Sequence, residues 1–360
     1  MNDLKIFLKN KKILITGHTG FKGSWLAQML IYCGADAVGI SLEPKIDPNL
    51  FGLLDLQKRM RGYFCDIRNF KKIKEIIAFE KPEIIFHLAA QPLVRDSYDD
   101  PLYTFETNII GTANILQAAK DLGDVKAIVA ITTDKVYEEK IGCFYEENDK
   151  LGGYDPYSAS KAGAEMVINS YINSFFNPEF YGKKHHTLAA SARAGNVFGG
   201  GDWLSRIFPD IVRSIFEKKE KLIIRNPDSI RPWQHVFDPL YGYLLLAREL
   251  YEGKREFSGA WNFGPDEKSY LTVENLVKQT FDIFKKGDYD INRDFAKREA
   301  GYLKLNSNKA RRLLGWRPAY DIGDSLRIAC EWYEAFYCGN DIKQITDRQI
   351  ELFFSKIIKI

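Results

Sequence analysis

The 360-residue sequence predicts an α/β fold: a doubly wound parallel sheet followed by a smaller, discontinuous C-terminal α/β unit. Three observations carry that prediction. Short apolar runs of strand length alternate with longer amphipathic stretches through the first half, the pattern of a parallel sheet covered by helices on both faces. A glycine-rich turn lies between the first apolar run and the first helical stretch. From about residue 199 the alternation gives way to irregular segments richer in Gly, Pro, Trp and Arg.

Taken in order, Ile13-Leu14-Ile15 is the first buried strand and residues 21–33 the first helix. Ala37-Val38-Gly39-Ile40 is the second strand, and a third ends before Asp66-Ile67, ahead of a helix over 71–79. Ile84-Ile85-Phe86, a helix over 105–119, Ala127-Ile128-Val129-Ala130-Ile131 and a strand near 187–192 complete the alternation. Residues 196–203 and 225–237 read as long loops, and long ordered loops usually carry function. Ala260-Trp261-Asn262-Phe263-Gly264 reads as a strand returning to the first sheet. Residues 1–193, with that strand near 260–264, therefore form one expected unit, and residues 194–360 mainly the other.

Composition narrows the function class. Hydrophobic content of 45% is ample for a sizeable core, and 28% charged is ordinary for a soluble protein. The 51 basic and 48 acidic residues leave +3, too small and too scattered to argue for nucleic acid or an anionic membrane. The five cysteines, at 33, 65, 143, 330 and 338, are odd in number and lack CxxC spacing, which predicts free thiols in a reducing cytoplasm. His185-His186 has no partners at metal-ligand spacing, so no metal site is expected. No apolar run reaches membrane-spanning length.

The motifs carry chemistry. Gly17-His18-Thr19-Gly20-Phe21-Lys22-Gly23 follows a strand and opens a helix, where glycines let the backbone approach a pyrophosphate lying on the helix N-terminus. The first unit is thus Rossmann-like, and Lys22 adds a point charge for a phosphate. Asp66-Ile67 suits an adenine edge, with a helix N-cap as the competing reading. Ser41 ends the second strand, Glu43 follows, and no arginine is close by to hold a 2′-phosphate, which favours NAD over NADP. Tyr157 and Lys161 are spaced to share one helix face, and an ammonium beside a phenol favours the phenolate that takes a hydroxyl proton. Alcohol oxidation needs only those two. Asp134 and Lys135, in Thr133-Asp134-Lys135, imply a further proton-transfer step.

Together these runs resemble the extended short-chain dehydrogenase/reductase family and, within it, the CDP-glucose 4,6-dehydratases. The runs carrying the narrower resemblance are residues 17–26, His87-Leu88-Ala89-Ala90-Gln91-Pro92-Leu93-Val94-Arg95, Thr133-Asp134-Lys135-Val136-Tyr137, residues 193–203 and Arg231-Pro232-Trp233-Gln234-His235-Val236. The resemblance implies a redox-neutral reaction on a nucleotide sugar: oxidation at C4, loss of water across C5–C6, and hydride return to C6. It implies Tyr157 and Lys161 for the 4-hydroxyl proton, Thr133 to hold that hydroxyl, Asp134 as acid for the departing 6-hydroxyl, and Lys135 as C5 base or relay, with a structural partner of Asp134 as the other reading of Lys135. Leu88, Ala89 and Ala90 are implied at the cofactor, and Gln91, Arg193, Asn196, Arg206, Arg225, Arg231 and Trp203 at the substrate. A homodimer or dimer of dimers, paired through helices near 101–122 and 157–175, is also implied. The alternatives are a nucleotide-sugar 4-epimerase on the same scaffold, which needs no acid at position 134, and a dehydratase acting on another nucleoside-diphosphate hexose.

Overall fold

Seven parallel strands make one sheet in the computed structural model, which describes residues 3–140, 142–293 and 304–358. They are β1 (Lys12–Thr16), β2 (Asp36–Ser41), β3 (Arg61–Phe64), β4 (Ile84–His87), β5 (Ala127–Ile131), β6 (Leu188–Ala194) and β7 (Gly259–Phe263). Their order is β7-β6-β5-β4-β1-β2-β3, every neighbouring pair parallel. The chain reverses its direction of travel between β1 and β4, and the crevice at such a reversal is where ligands bind.

The apolar runs are continuous because both faces are buried. Ile13, Ile15, Phe86, Val129 and Ala190 feed the core on one face. Their neighbours Leu14, Ile85, Ile128, Ala130 and Ala189 feed the other. The returning strand pairs with β6, placing Trp261 beside Ala192 and Asn262 beside Arg193. β3 escapes the apolar pattern because it is the sheet edge, its four residues being exposed or partly so.

Two expectations need correction. The helix expected over 105–119 is longer: Pro101–Phe105 and Gly111–Leu122 are joined by a π-helical turn, Glu106–Ile110. Asn108 in that wider turn is buried, its amide bridging the Gln91 backbone and Ser160 Oγ. The expected loops also contain short ladders. Val197–Phe198 pairs with Gln234–His235, and Ile230–Pro232 with Tyr270–Thr272.

Later helices close the structure around the sheet. Helix Phe237–Tyr251 packs on β5 and β6, and its Phe237 ring meets Trp25 edge-on at 4.9 Å. Helix Ile342–Ile357 returns to helix Phe21–Tyr32, where Phe354 stacks on Tyr32 at 5.7 Å and Gln28 bonds Asp347. Among the described residues no helix is long and apolar enough to cross a membrane.

Candidate active site

β1 delivers the chain to Gly17, whose φ of +77° is readily accessible only to glycine. A Cβ there would lie 2.8 Å from the Ala89 nitrogen, and one on Gly23 would lie 2.0 Å from the Gly17 carbonyl oxygen. These glycines let the turn, the start of helix Phe21–Tyr32 and the segment after β4 meet backbone to backbone. Beside them opens a cleft of about 660 Å³ lined by Gly17, Thr19, Gly20, Phe21, Lys22, Gly23, Asp66, Ile67, Leu88, Ala89 and Ala90. Tyr157 and Lys161 close its inner end.

The donor set of this cleft fits a dinucleotide. Gly20 starts the helix with no side-chain cap bond, leaving first-turn N–H groups for an anion. Asn69, not Asp66, caps helix Phe70–Glu80. Asp66 is left on the cleft wall, where burial raises its carboxyl but hydrogen bonds from Arg68 prevail and hold it below the usual range. Thr19 bonds Ser41 Oγ at 2.7 Å, and Glu43 lines the same mouth.

His18 departs from expectation. Its ring turns under the sheet, where a Cβ on Gly39 would come within 2.3 Å of it and where it meets Phe51 edge-on at 5.3 Å. Neither ring nitrogen makes a well-formed hydrogen bond among the described residues, and burial, weakly opposed by the Ile40 backbone, pushes the imidazole down to about 4. Gln91 also departs. Its side chain bonds Leu93 through both ends and Thr104 Oγ1, bracing the loop after β4.

A second cleft of about 670 Å³ is lined by Thr133, Asp134, Lys135, Asn196, Arg206, Arg225 and Arg231. The two clefts share Lys22, Pro92, Leu93, Asp96, Thr132, Tyr157, Asp202 and Arg206 as a common wall. Arg206 is held there by Asp202 Oδ2 at 2.8 Å. Two residues expected here lie elsewhere. Arg193 lines neither cleft: it is 3% exposed, with its guanidinium engaged by Glu165, Tyr137 and the Glu147 carbonyl. Trp203 lines the first cleft only, packed against Trp332, Tyr333 and Phe336. A strand alternates its side chains, so a motif read along β6 does not tell which residues point to the ligand.

At the common wall the expected groups converge. Asp155 caps helix Pro156–Ser174 by accepting from the Ser158 N–H at 2.9 Å, which sets Tyr157 in the first turn and Lys161 one turn on. Thr133 donates to Asp134 Oδ1 at 2.9 Å and lies beside the Tyr157 phenol. Asp134 Oδ2 is buried without a partner among the described residues. Burial holds the Tyr157 phenol up at about 12, opposed by Thr133 and Arg206. Lys161, the ammonium expected to lower the phenol, is not among the groups that do so. Lys161 donates instead to the Ile131 carbonyl at 2.8 Å and is pushed down by burial to about 8, against the pull of Glu165. Lys22 is pushed down to about 7 by burial and by Arg206 and Lys161, with Asp134 opposing.

Three acidic residues near the site were not among the site residues named from the sequence, although Asp202 fell within the 193–203 run. Asp96 and Asp202 sit on the common wall, and Glu165 lies behind it. Glu165 left a signal, since it follows Lys161 by the same four residues that separate Lys161 from Tyr157. Among the described residues no group of three or more His, Cys, Asp and Glu is placed to hold a metal ion.

Comparison with known proteins agrees with this geometry. A family model described as GDP-mannose 4,6 dehydratase matches residues 14–328. The chain is 44% identical over 354 residues to the CDP-glucose 4,6-dehydratase of Salmonella typhimurium, covering 98% of each chain. It is 26% identical over 348 residues to the dTDP-glucose 4,6-dehydratase of Shigella flexneri, covering 90% of this chain and 93% of that one. In fold it matches a dTDP-glucose 4,6-dehydratase structure from Streptomyces venezuelae with NAD bound, at TM-score 0.78 and 24% identity, covering 91% of this chain and 98% of that one. The chain belongs to the family described as GDP-mannose 4,6 dehydratase, within the extended short-chain dehydrogenases/reductases.

Proposed function

We propose that the protein is an NAD-dependent CDP-D-glucose 4,6-dehydratase, a hydro-lyase giving CDP-4-keto-6-deoxy-D-glucose. The observation that carries this reading is the common wall, where a glycine-turn cleft and an arginine-lined cleft meet at Tyr157, beside Thr133 and Asp134. The high identity to the Salmonella typhimurium CDP-glucose 4,6-dehydratase supports the choice of nucleotide.

The 17–23 turn and Asp66 would hold NAD in the first cleft, where it would supply the hydride acceptor for C4 and the hydride donor for C6. Tyr157 takes the 4-hydroxyl proton, with Thr133 orienting that hydroxyl and Lys161 steadying the phenolate. The resulting 4-ketone acidifies the C5 proton, because the carbanion delocalises as an enolate. Asp134 hands a proton to the departing 6-hydroxyl. Lys135, partly exposed on the wall of the second cleft, receives or relays the C5 proton. Arg206, Arg225 and Arg231 face the diphosphate, for which a guanidinium fork is well shaped, and Asn196 lies beside them. The same reading puts the enzyme in the cytoplasm, supplying deoxysugars for lipopolysaccharide. It acts as a homodimer or dimer of dimers, supported by exposed Leu102, Ile110 and Met166 on the two helices expected to pair.

The test is turnover of CDP-, dTDP-, GDP- and UDP-glucose separately, with no added reductant and analysis by mass. Loss of water from CDP-glucose alone is the expected result. Loss from another nucleotide reassigns the substrate, and inversion at C4 without loss of mass favours an epimerase.

A further inference from the structure

We infer that the buried Glu165–Arg193 pair is a positioning device for the elimination half of the reaction, holding the Thr133-Asp134 turn at a fixed offset from Tyr157. The inference rests on the dehydratase reading above. Glu165 lies on helix Pro156–Ser174, one turn beyond Lys161 and two beyond Tyr157. Its carboxylate accepts four bonds: Thr132 Oγ1 at 2.5 Å, Ser191 Oγ at 2.8 Å, Arg193 Nε at 2.9 Å and Arg193 Nη2 at 2.7 Å. The same guanidinium donates through Nη1 to the Tyr137 hydroxyl at 2.8 Å and the Glu147 carbonyl at 2.9 Å. Tyr137 in turn donates to Asn262 Oδ1 on β7 at 2.6 Å.

Thr132 and Tyr137 are the two ends of the segment that carries Thr133, Asp134 and Lys135. One ion pair therefore grips that segment on both sides and fastens it to the helix bearing Tyr157. Glu165, Arg193 and Tyr137 line neither cleft, so whatever they contribute passes through the residues they hold. Lys161 Nζ also ties the end of β5 to the helix by donating to the Ile131 carbonyl, but Lys161 is a group that the chemistry itself occupies. The Glu165–Arg193 brace uses no reacting group.

A bidentate guanidinium fixes orientation as well as distance, and burying two charges this fully is sustained only by complete hydrogen bonding. Tyr157 and Lys161 are placed by their own helix. Asp134 is not, so loosening the brace should slow elimination more than oxidation.

The experiment uses Arg193→Lys, which keeps the charge opposite Glu165 but cannot span from Glu165 to Tyr137, and Tyr137→Phe, which removes one hydroxyl. For each, KM for CDP-glucose should stay within about threefold while kcat falls roughly tenfold or more, the split expected of a group acting on the transition state alone. Reduced-nicotinamide absorbance should persist in a single turnover, because elimination lags oxidation. A raised KM with unchanged kcat makes Arg193 a substrate contact and overturns the inference. So does a kcat loss without the absorbance, or wild-type constants in both variants. If Arg193→Lys does not fold, Tyr137→Phe decides alone. Wild-type enzyme in the same assay tests the dehydratase reading separately: no ketone from it sinks that reading, whereas ketone from it and from both variants at equal rates sinks only the positioning role.

Discussion

Asp134 Oδ2 is buried and without a partner among the described residues, while its twin oxygen accepts from Thr133, and a buried acceptor left unmet is costly. Asp134→Asn keeps the shape and removes the acid, so bound nicotinamide should reduce and stay reduced in a single turnover. Undiminished loss of water from that variant would show that another group is the acid. Tyr157→Phe removes the proton acceptor and little volume; kcat should fall by well over tenfold, about 1.4 kcal/mol of transition-state stabilisation, with NAD binding nearly intact by titration. A different histidine effect belongs to stability. His18 is lowered to about 4 by burial, so between that value and the ordinary 6.5 the unfolded chain binds more protons than the folded one. Stability then drops as pH falls through this window, by about 2 kcal/mol at pH 5 from this group, and the loss levels off below pH 4. Urea melts of wild type and His18→Gln at pH 7 and pH 5 should show a shallower pH dependence in the variant. At this scale the convergence of Tyr157, Lys161, Thr133 and Asp134 was legible in motif spacing, whereas the side-chain directions of His18, Gln91 and Arg193 were not.

At the scale of elements, the strand–turn–helix unit around residue 17 was readable because glycine is the only residue that allows the packing seen. Gly23→Ala places a methyl about where the Gly17 carbonyl oxygen sits. Overpacking of that kind typically costs about 1–3 kcal/mol, and here it also deforms the cofactor turn. The variant should melt earlier and bind NAD weakly; a normal melt with normal NAD affinity would show that the turn relaxes freely. β3 was only implied by its position, since an edge strand with exposed faces has no apolar run to reveal it. The π-helical turn at Glu106–Ile110 has no distinctive composition, and its cause is a tertiary one: Asn108 is drawn inward to Gln91 and Ser160.

Across the whole molecule, the second half was legible as a change in texture but not as architecture. Its helices Phe237–Tyr251 and Ile342–Ile357 complete the first unit, and contacts between residues so far apart leave no local periodic trace. Removing residues 342–358 would strip Phe353 from Phe237 and Tyr320, and Thr346 from the Trp332 indole. The truncated chain is expected to lose cooperative unfolding by calorimetry; a single sharp transition would show the C-terminal helix to be dispensable. The common wall of Lys22, Tyr157 and Arg206 between the two clefts has a thermodynamic consequence. Whichever ligand arrives first settles the charges and rotamers that the second will meet, so the two binding equilibria are linked. Reciprocity then requires that the factor by which NAD changes affinity for the nucleotide sugar equals the factor by which the sugar changes affinity for NAD, and an enzyme that returns its borrowed hydride within each cycle gains from a first ligand that will not leave before the second is finished.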